Sequence, residues 1–228
     1  TDLFFAYAKQ RMTGFVYGTV TEFQTQQLEG VEQVFGVRFL PGIQPALINV
    51  QMKELLNCHV ELEKVLIGDG AWLLEMASEQ DFYQRIRIFL QAYSKAEKLV
   101  QEPFGKRAIA MTVKRLIYAS DGKIKVGEIA EQTGYSERYV HKVFREEMGF
   151  SPKVFCKIIQ FQRMLDRLNA GVPDNIAEIA VEFGYYDQPQ FIRDFKKYAG
   201  ATPKAYVSTI IESGYVRRIQ TNEVPTEE

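Results

Sequence analysis

The hydrophobic pattern differs between the two parts of the chain. In the first hundred residues, aromatic and β-branched runs bounded by Gly and Pro predict strands over residues 3–8, 14–21 and 33–40. Apolar residues at helical spacing predict helices over residues 52–56, 72–77 and 82–93. From residue 104 onward, apolar residues recur mostly at helical spacing. We therefore expect an α+β N-terminal domain over residues 1–100, followed by an all-α domain.

The last helix predicted in the N-terminal domain is strongly amphipathic. Ser78 and Asp81 form a candidate capping pair ahead of it. Its apolar face consists of Phe82, Ile86, Phe89, Leu90 and Tyr93. An apolar face of this extent has to be covered. We expect the strands of the same domain to cover it, with self-association through this region as the alternative.

A ten-residue pattern occurs twice, about fifty residues apart. The first copy, VGEIAEQTGY, spans residues 126–135, and the second, IAEIAVEFGY, spans residues 176–185. Each contains a glycine, Gly134 or Gly184, that can end a helix in the left-handed conformation. Ser136 and Asp187 then stand where an N-cap would begin the next helix. The repeat therefore predicts two units, each made of a helix, a tight turn and a second helix.

The two units also end alike. Gly149 and Gly200 are each followed two residues later by Ser-Pro or Thr-Pro, which places an N-cap before a proline at the first helical position. A broad apolar face predicts a long helix after the first unit, with Gly171 as its stop. A further helix, with Phe104 on its apolar face, is predicted over residues 104–119. The all-α domain then has a first unit at 124–150, a connecting helix at 152–170 and a second unit at 175–207.

Residues 103–210 closely resemble the DNA-binding domain of the AraC family of bacterial transcription regulators. The resemblance includes the family's asymmetry, since ten steps separate Gly134 from Phe144 but eleven separate Gly184 from Phe195. It implies tandem helix-turn-helix units that bind double-stranded DNA and control transcription. It is compatible with RNA polymerase and an unidentified small-molecule effector as further partners. It is also compatible with either a monomer or a homodimer.

The residues expected to face DNA follow by elimination from the apolar stripes of the two second helices. In the first unit the stripe is Val140, Val143 and Phe144, and in the second it is Phe191, Phe195 and Tyr198. The opposite faces carry Arg138, His141, Lys142 and Arg145 in the first unit, then Gln188, Gln190 and Arg193 in the second. Apart from Arg145, these polar residues occupy positions that commonly touch bases or phosphates in the AraC pattern. The alternative for each of them is a solvated helix face.

The length of the connecting helix and the charge of the chain refine this expectation. A helix over residues 152–170 would be about 28 Å long, and one turn of B-DNA is about 34 Å. One chain could then read two successive major-groove segments of a non-palindromic site.

The net charge differs between the two parts of the chain. Residues 1–100 carry 9 basic and 12 acidic residues, whereas residues 101–210 carry 17 basic and 13 acidic residues, a net charge of +4. We therefore expect DNA binding to depend on local placement of cations.

Residues 35–42, FGVRFLPG, resemble the end of the β-rich N-terminal domain of a subgroup of AraC-like regulators. Those domains carry further strands, so the resemblance implies that residues 1–100 are a partial or shortened regulatory domain. The short linker around Pro103 is not rich in Gly or Ser, which predicts that the two domains are in contact. Residues 211–228 are expected to be a mobile tail.

Two other classes of function are alternatives: a degenerate regulator that acts by protein contact alone, and an enzyme. Cys58 and His59 lie near two glutamates but lack the spacing of metal ligands, and Cys156 fits buried packing in the connecting helix. The sequence shows no Gly-rich phosphate loop, Ser elbow or paired-His motif. We therefore expect no catalytic residue, metal or cofactor. The intact polar faces of both second helices argue against a regulator that has lost DNA binding.

The sequence gives few indications of a membrane or an oxidising compartment. No run approaches the ~20 apolar residues of a membrane span, and no signal peptide is visible. Two cysteines imply no disulfide framework. We expect a cytoplasmic protein.

Overall fold

The computed structural model describes residues 1–9, 11–25, 29–100, 104–170, 176–185 and 187–213. By its contacts the chain divides into two compact units. The first unit contains Thr1–Val20, Gln26–Leu116 and Lys125–Val154, and the second contains Thr21–Thr25, Ile117–Ile124 and Phe155–Glu228. The domain boundaries expected from the sequence stay predictions. The α+β start and the helical remainder of the predicted fold class are confirmed by the elements described below.

A four-stranded antiparallel sheet opens the first unit. Its strands are β1 (Asp2–Ala8), β2 (Arg11–Tyr17), β3 (Gln33–Arg38) and β4 (His59–Glu61), in the order β3-β1-β2-β4. The three predicted strands are confirmed. Strand β4 was not predicted, because three residues with one apolar side chain carry no detectable period of two.

Four helices follow β3 in the first hundred residues, and three of them match predicted segments. They are the 3₁₀ helices Met52–Leu55 and Leu62–Lys64, then α1 (Ala71–Ser78) and α2 (Phe82–Glu97). A core forms between these helices and one face of the sheet. Its buried members include Leu3, Phe5, Val16, Phe35, Leu55, Leu62, Met76 and Phe89.

The buried face of α2 is rotated from the predicted one. Phe89 is buried as expected, but Phe82 and Leu90 are exposed, and Arg85 is only 5% exposed. The Arg85 guanidinium lies 3.9 Å above the centre of the Tyr7 ring. Its Nε donates to the Glu79 carbonyl at 2.9 Å, and its terminal nitrogens donate to Gln33 Oε1 at 3.3 Å. The predicted face did not include Arg85, because a sequence pattern cannot show that these partners satisfy a buried arginine.

The capping pair predicted for α2 is half right. Asp81 is the N-cap, and its carboxylate accepts a hydrogen bond from the Gln84 amide at 2.9 Å. Ser78 is not a cap of α2. Its hydroxyl instead donates to the carbonyls of Leu74 and Glu75, within α1.

Seven helices make up the described part of the chain after residue 104. They are α3 (Gly105–Ala119), α4 (Val126–Thr133), α5 (Glu137–Met148), α6 (Pro152–Ala170), α7 (Ile176–Glu182), α8 (Gln188–Ala199) and α9 (Pro203–Ser213). Phe104 lies outside α3 and is exposed, so its assignment to the apolar face is wrong. Gly171, the expected stop of α6, and Pro103 lie outside the described residues. Residues 211–213 continue α9, and the rest of the expected tail lies outside the described residues.

Within the first unit, the N-terminal region contacts α3 and α5. This contact was expected from the short linker, which is not rich in Gly or Ser. The 3₁₀ helix Met52–Leu55 packs against α5. The Lys114 ammonium, on α3, donates to the Gly42 carbonyl at 2.7 Å. Burial lowers the pKa of Lys114 to about 8, helped by the nearby Arg107 guanidinium and opposed by Glu147. The cost of burying this ammonium is therefore only partly offset by its neighbours.

Gly18 lies so close to the backbone of Leu55 that no side chain fits there. A Cβ atom there would overlap the backbone carbonyl of Leu55, whereas a Cβ at Gly36 would meet nothing closer than 3.8 Å. We expect Gly18→Ala to lower the free energy of unfolding by about 2 kcal/mol or more. The control Gly36→Ala should change it by less than about 0.5 kcal/mol. Urea denaturation of the two variants measures this difference, and equal stabilities would contradict the close approach at Gly18.

The lowered pKa of Lys114 predicts a pH effect on stability. Below pH 8 the amine is protonated in both folded and unfolded states, so the cost of burying its charge is fully present. Between about pH 8 and the ordinary value of 10.5, the folded state releases its proton while the unfolded state keeps it. The stability of the native chain relative to Lys114→Leu should therefore rise across this range. Urea denaturation of both proteins at several pH values measures the effect, and parallel pH curves would contradict it.

Candidate nucleic-acid interface

The first repeated unit forms the predicted pair of helices joined by a tight turn. Gly134 ends α4 in the left-handed conformation, with φ of 72°. The Ser136 hydroxyl caps α5 by accepting a hydrogen bond from the Tyr139 amide at 3.3 Å. The predicted inward stripe is confirmed, because Val140, Val143 and Phe144 are fully buried. The opposite face of α5 is thereby turned outward.

The four predicted contact residues of the first unit lie on this outward face. Arg138, Lys142 and Arg145 are exposed, and His141 is half-buried. Arg138 and Arg145 are separated by seven residues, or about 10 Å along the helix axis. The structure therefore brings three cations together along one side of α5. Whether they touch DNA stays a prediction.

Of the acidic residues of α5, Glu146 is paired with a lysine from another helix. The Glu146 carboxylate accepts a hydrogen bond from the Lys106 ammonium at 2.6 Å, and this bond lowers the pKa of Glu146. Oε1 of Glu137 lies against Gly127, 3.1 Å from where a Cβ of that residue would stand. Glu147 lines a cavity on the side of α3. The side of α5 that carries Arg138 and Lys142 is consequently more basic than the composition of the helix suggests.

The second unit repeats the same construction with different capping residues. After α7, the amides of Gly184 and Tyr185 donate to the carbonyls of Val181 and Ala180, the pair of bonds that closes a Schellman motif. The Asp187 carboxylate then caps α8 by accepting a hydrogen bond from the Gln190 amide. These bonds mark the end of α7 and the start of α8.

The predicted stripe of α8 is buried against the connecting helix. Phe191 and Phe195 are almost fully buried, and Tyr198 is half-buried. The Phe161 ring, on α6, lies 5.4 Å from the Phe195 ring and 5.1 Å from the Tyr198 ring, centre to centre. The other face of α8 is exposed, and it carries the predicted residues Gln188, Gln190 and Arg193.

Sequence reasoning missed the contacts that hold α8 in place. The Tyr185 hydroxyl hydrogen-bonds to the Asp194 carboxylate, and Lys157 Nζ lies 3.6 Å from that carboxylate. Burial and the Asp194 charge raise the pKa of Tyr185 to about 12, so this phenol stays protonated. An aspartate next to a predicted DNA-contacting arginine was the available signal, since an unpaired acid there would repel phosphate.

A distant segment of the chain also contacts the end of α8. The Phe23 amide donates to the Lys197 carbonyl at 2.7 Å, and the Phe23 ring lies against Gly200, where a Cβ atom would overlap it. Both residues belong to the second compact unit. No local pattern could have predicted this contact, because more than 170 residues separate Phe23 from its partners.

The two cysteines and the histidine that were weighed as candidates for catalysis or metal binding pack against other parts of the protein. The Cys58 thiol donates to the Glu54 carbonyl, and the His59 ring stacks on the Tyr17 ring at 4.9 Å on the edge strand β4. Cys156 is buried as predicted, which raises its pKa to about 11. Among the described residues, no cluster of His, Cys, Asp and Glu could hold a metal ion. In the same part of the chain, every helix is too short or too polar to span a membrane.

Comparison with known proteins identifies the domain that contains both units. Residues 129–209 match the family model described as a helix-turn-helix domain. A stretch of 101 residues is 29% identical to the Msm operon regulatory protein of Streptococcus mutans, and 185 residues are 25% identical to the uncharacterized HTH-type transcriptional regulator YtdP of Bacillus subtilis. Residues 129–209 are a helix-turn-helix domain of the AraC type. Both relatives are named as regulators.

The same comparisons show how much of each relative the chain spans, and they give a match for the N-terminal region. The chain covers 36% of the length of the Msm operon regulatory protein and 23% of YtdP. Residues 1–61 match a domain of unknown function (DUF6597). The C-terminal domain of AraT, a response regulator from Geobacillus stearothermophilus, is 26% identical with a TM-score of 0.40, over 44% of this chain and 84% of that one.

The burial of α7 predicts how the second AraC-type unit responds to a charge. Ile179 is 1% exposed, whereas Val181, two residues later on the same helix, is 74% exposed. Ile179→Asp should destabilise this unit by about 3 kcal/mol or more, because the carboxylate would be buried without a partner. Val181→Asp is the matched control and should leave the thermal midpoint nearly unchanged. Thermal unfolding followed by circular dichroism measures both, and similar midpoints would show that the inward face is assigned wrongly.

Proposed function

We propose that this protein is a sequence-specific transcription regulator that inserts α5 and α8 into successive major-groove segments of one DNA site. The observation that supports this most is common to both AraC-type units. In each, the second helix buries its apolar stripe and leaves a polar face exposed, while one acidic residue of that helix, Glu146 or Asp194, lies beside a lysine of another helix. Such a face fits the negatively charged DNA backbone and the edges of bases.

The side chains on these faces suggest distinct roles. Arg138 and Arg193 are exposed and have the planar fork of donors that suits the O6 and N7 acceptors of guanine. Gln188 and Gln190, in the first turn of α8, suit the adenine edge. Lys142 and Arg145 are proposed to contact phosphates. His141, which is half-buried, would reach DNA only with its ring edge.

The connecting helix supports a two-part site. Helix α6 has 19 residues and is therefore about 28 Å long, close to the ~34 Å of one turn of B-DNA. A single chain that carries two different reading helices has no two-fold symmetry of its own. We therefore propose that its DNA site is bipartite and non-palindromic.

The remaining parts of the proposal concern partners and location. The N-terminal α+β domain, with its match to a domain of unknown function, is proposed to regulate the DNA-binding domain and not to catalyse a reaction. RNA polymerase and a small-molecule effector are proposed partners. A regulator of this kind acts on chromosomal DNA, which fits the cytoplasm of a bacterium. A regulator that acts by protein contact alone is the rival, and DNA selection tests it.

The first test is the loss of base preference when a reading arginine is removed. Arg138→Ala and Arg193→Ala should each weaken binding to the selected site by about tenfold, and each should relax the preference at one base position. Selection from a random duplex library, followed by fluorescence anisotropy at fixed salt, measures both effects. A chain that selects no sequence would favour the protein-contact rival.

Arg87→Ala is the control for loss of one positive charge. Arg87 is exposed on α2 and belongs to neither recognition helix. This variant should bind selected and random duplexes as the native chain does. If the two reading variants lose affinity equally for selected and random DNA, Arg138 and Arg193 contact phosphates and the base-reading role is wrong.

A further inference from the structure

A cavity of about 560 Å³ lies inside the first compact unit. Its walls come from the loop after β3, the 3₁₀ helix Met52–Leu55, the C-terminal part of α2, one side of α3 and the end of α5. This volume lies within the ~300–1,000 Å³ typical of small-molecule sites. The N-terminal domain and the first AraC-type unit therefore share one cavity of a size that suits a ligand.

The apolar part of the wall is rich in methionine. Met52, Met111 and Met148 line the cavity, which is half of the six methionines in the chain. Tyr93 lines it too, and its hydroxyl oxygen accepts a hydrogen bond from the Ala46 amide. Methionine side chains adapt to irregular ligands and make favourable contacts between sulfur and aromatic rings. This wall suits a flat apolar body, and an aromatic ring in particular.

The polar part of the wall is basic at one end. Lys114 Nζ donates to the Gly42 carbonyl at 2.7 Å, the one acceptor that the described residues place on it, so two of its three N–H groups are available to a ligand. Arg107, also on α3, donates to Gln44 Oε1 at 3.4 Å. Its guanidinium influences the Lys114 amine more strongly than the Glu147 carboxylate does. Glu97, the other acid in the wall, lies beside Tyr93. The Lys114 end is therefore suited to an anionic group.

We propose that this cavity binds a small organic anion, whose carboxylate or phosphate is held by Lys114 and Arg107 and whose aromatic body packs against the three methionines. The ligand would contact the DNA-reading helix itself, because Glu147 and Met148 are the last two residues of α5. Arg145 lies on the same helix, less than one turn away. Binding in the cavity would bias the position of α5 and so change DNA affinity, a consequence that rests on the proposed function.

The test of binding uses the 228-residue chain with isotope-labelled methionine methyl groups, and NMR spectra are recorded without DNA. Four probes differ only in the head group: phenylbutyrate, phenylbutyl phosphate, neutral phenylbutanol and cationic phenylbutylamine. The signals of Met52, Met111 and Met148 should shift saturably with at least one anion, with a Kd on the order of 1 mM for so small a probe. The signals of Met12, Met76 and Met164 should stay in place. The anion that binds more tightly identifies the head group.

Two results would overturn the binding site. One is the absence of saturable shifts at the three cavity methionines with either anion. The other is binding of phenylbutanol as tight as that of the anions, which would remove the role of the cations. Arg107→Gln and Lys114→Leu should each weaken anion binding about fivefold or more and leave phenylbutanol unaffected. Arg115→Gln, on the same helix but outside the cavity wall, is the matched control and should bind like the native chain.

The regulatory part has a separate readout. At a saturating concentration of the tighter anion, affinity for the selected duplex should change by about fivefold or more, and the change should be lost in Arg107→Gln. Methionine shifts accompanied by less than about a twofold change in DNA affinity would overturn the coupling while the site stands. A chain that selects no DNA sequence would overturn the proposed function and leave the NMR result intact.

Discussion

Burial of one apolar stripe on the second helix of each unit is the constraint on which the proposed DNA-binding surface depends. Phe144 on α5 and Phe195 on α8 are buried, and each fixes the rotation of its helix about its own axis. A rotation of α8 that exposed Phe195 would also remove its ring from the Phe161 and Phe191 rings, which lie 5.4 and 5.9 Å away. The outward direction of the polar residues is thus set by apolar contacts on the far side of the helix, and not by the polar residues themselves.

The sequence predicted those parts of the structure that depend on local chemistry. Helix ends marked by Gly134, Ser136 and Asp187 lie where they were expected, because caps and turns involve only neighbouring residues. The stripes of α5 and α8 were predicted correctly because one helical period decides them. The buried side of α2 was predicted only in part, because Arg85 is satisfied by Tyr7 and Gln33, which are far from it in sequence.

The same distinction applies to the candidate sites. The seven predicted DNA-facing residues could be named from the sequence because they share two helix faces. The cavity near Lys114 could not, since the loop after β3, the end of α2 and the end of α5 meet there only in the fold. The link between Phe23 and Lys197 is of this kind as well. Contacts between remote segments carry no periodic signal, whatever their importance in the molecule.

The junction at Gly149 has a consequence for how such a protein can diverge. A Cβ at residue 149 would stand 3.1 Å from the Lys53 Cα and 3.2 Å from Leu56 Cδ2. Gly149 also ends α5 in the left-handed conformation, with φ of 83°. A larger residue at this position therefore requires a simultaneous change in the segment around residues 53–56. The end of α5 and this part of the N-terminal region are therefore sterically coupled, and a different segment at residues 53–56 would fit against α5 only if it left the same space for the backbone of Gly149.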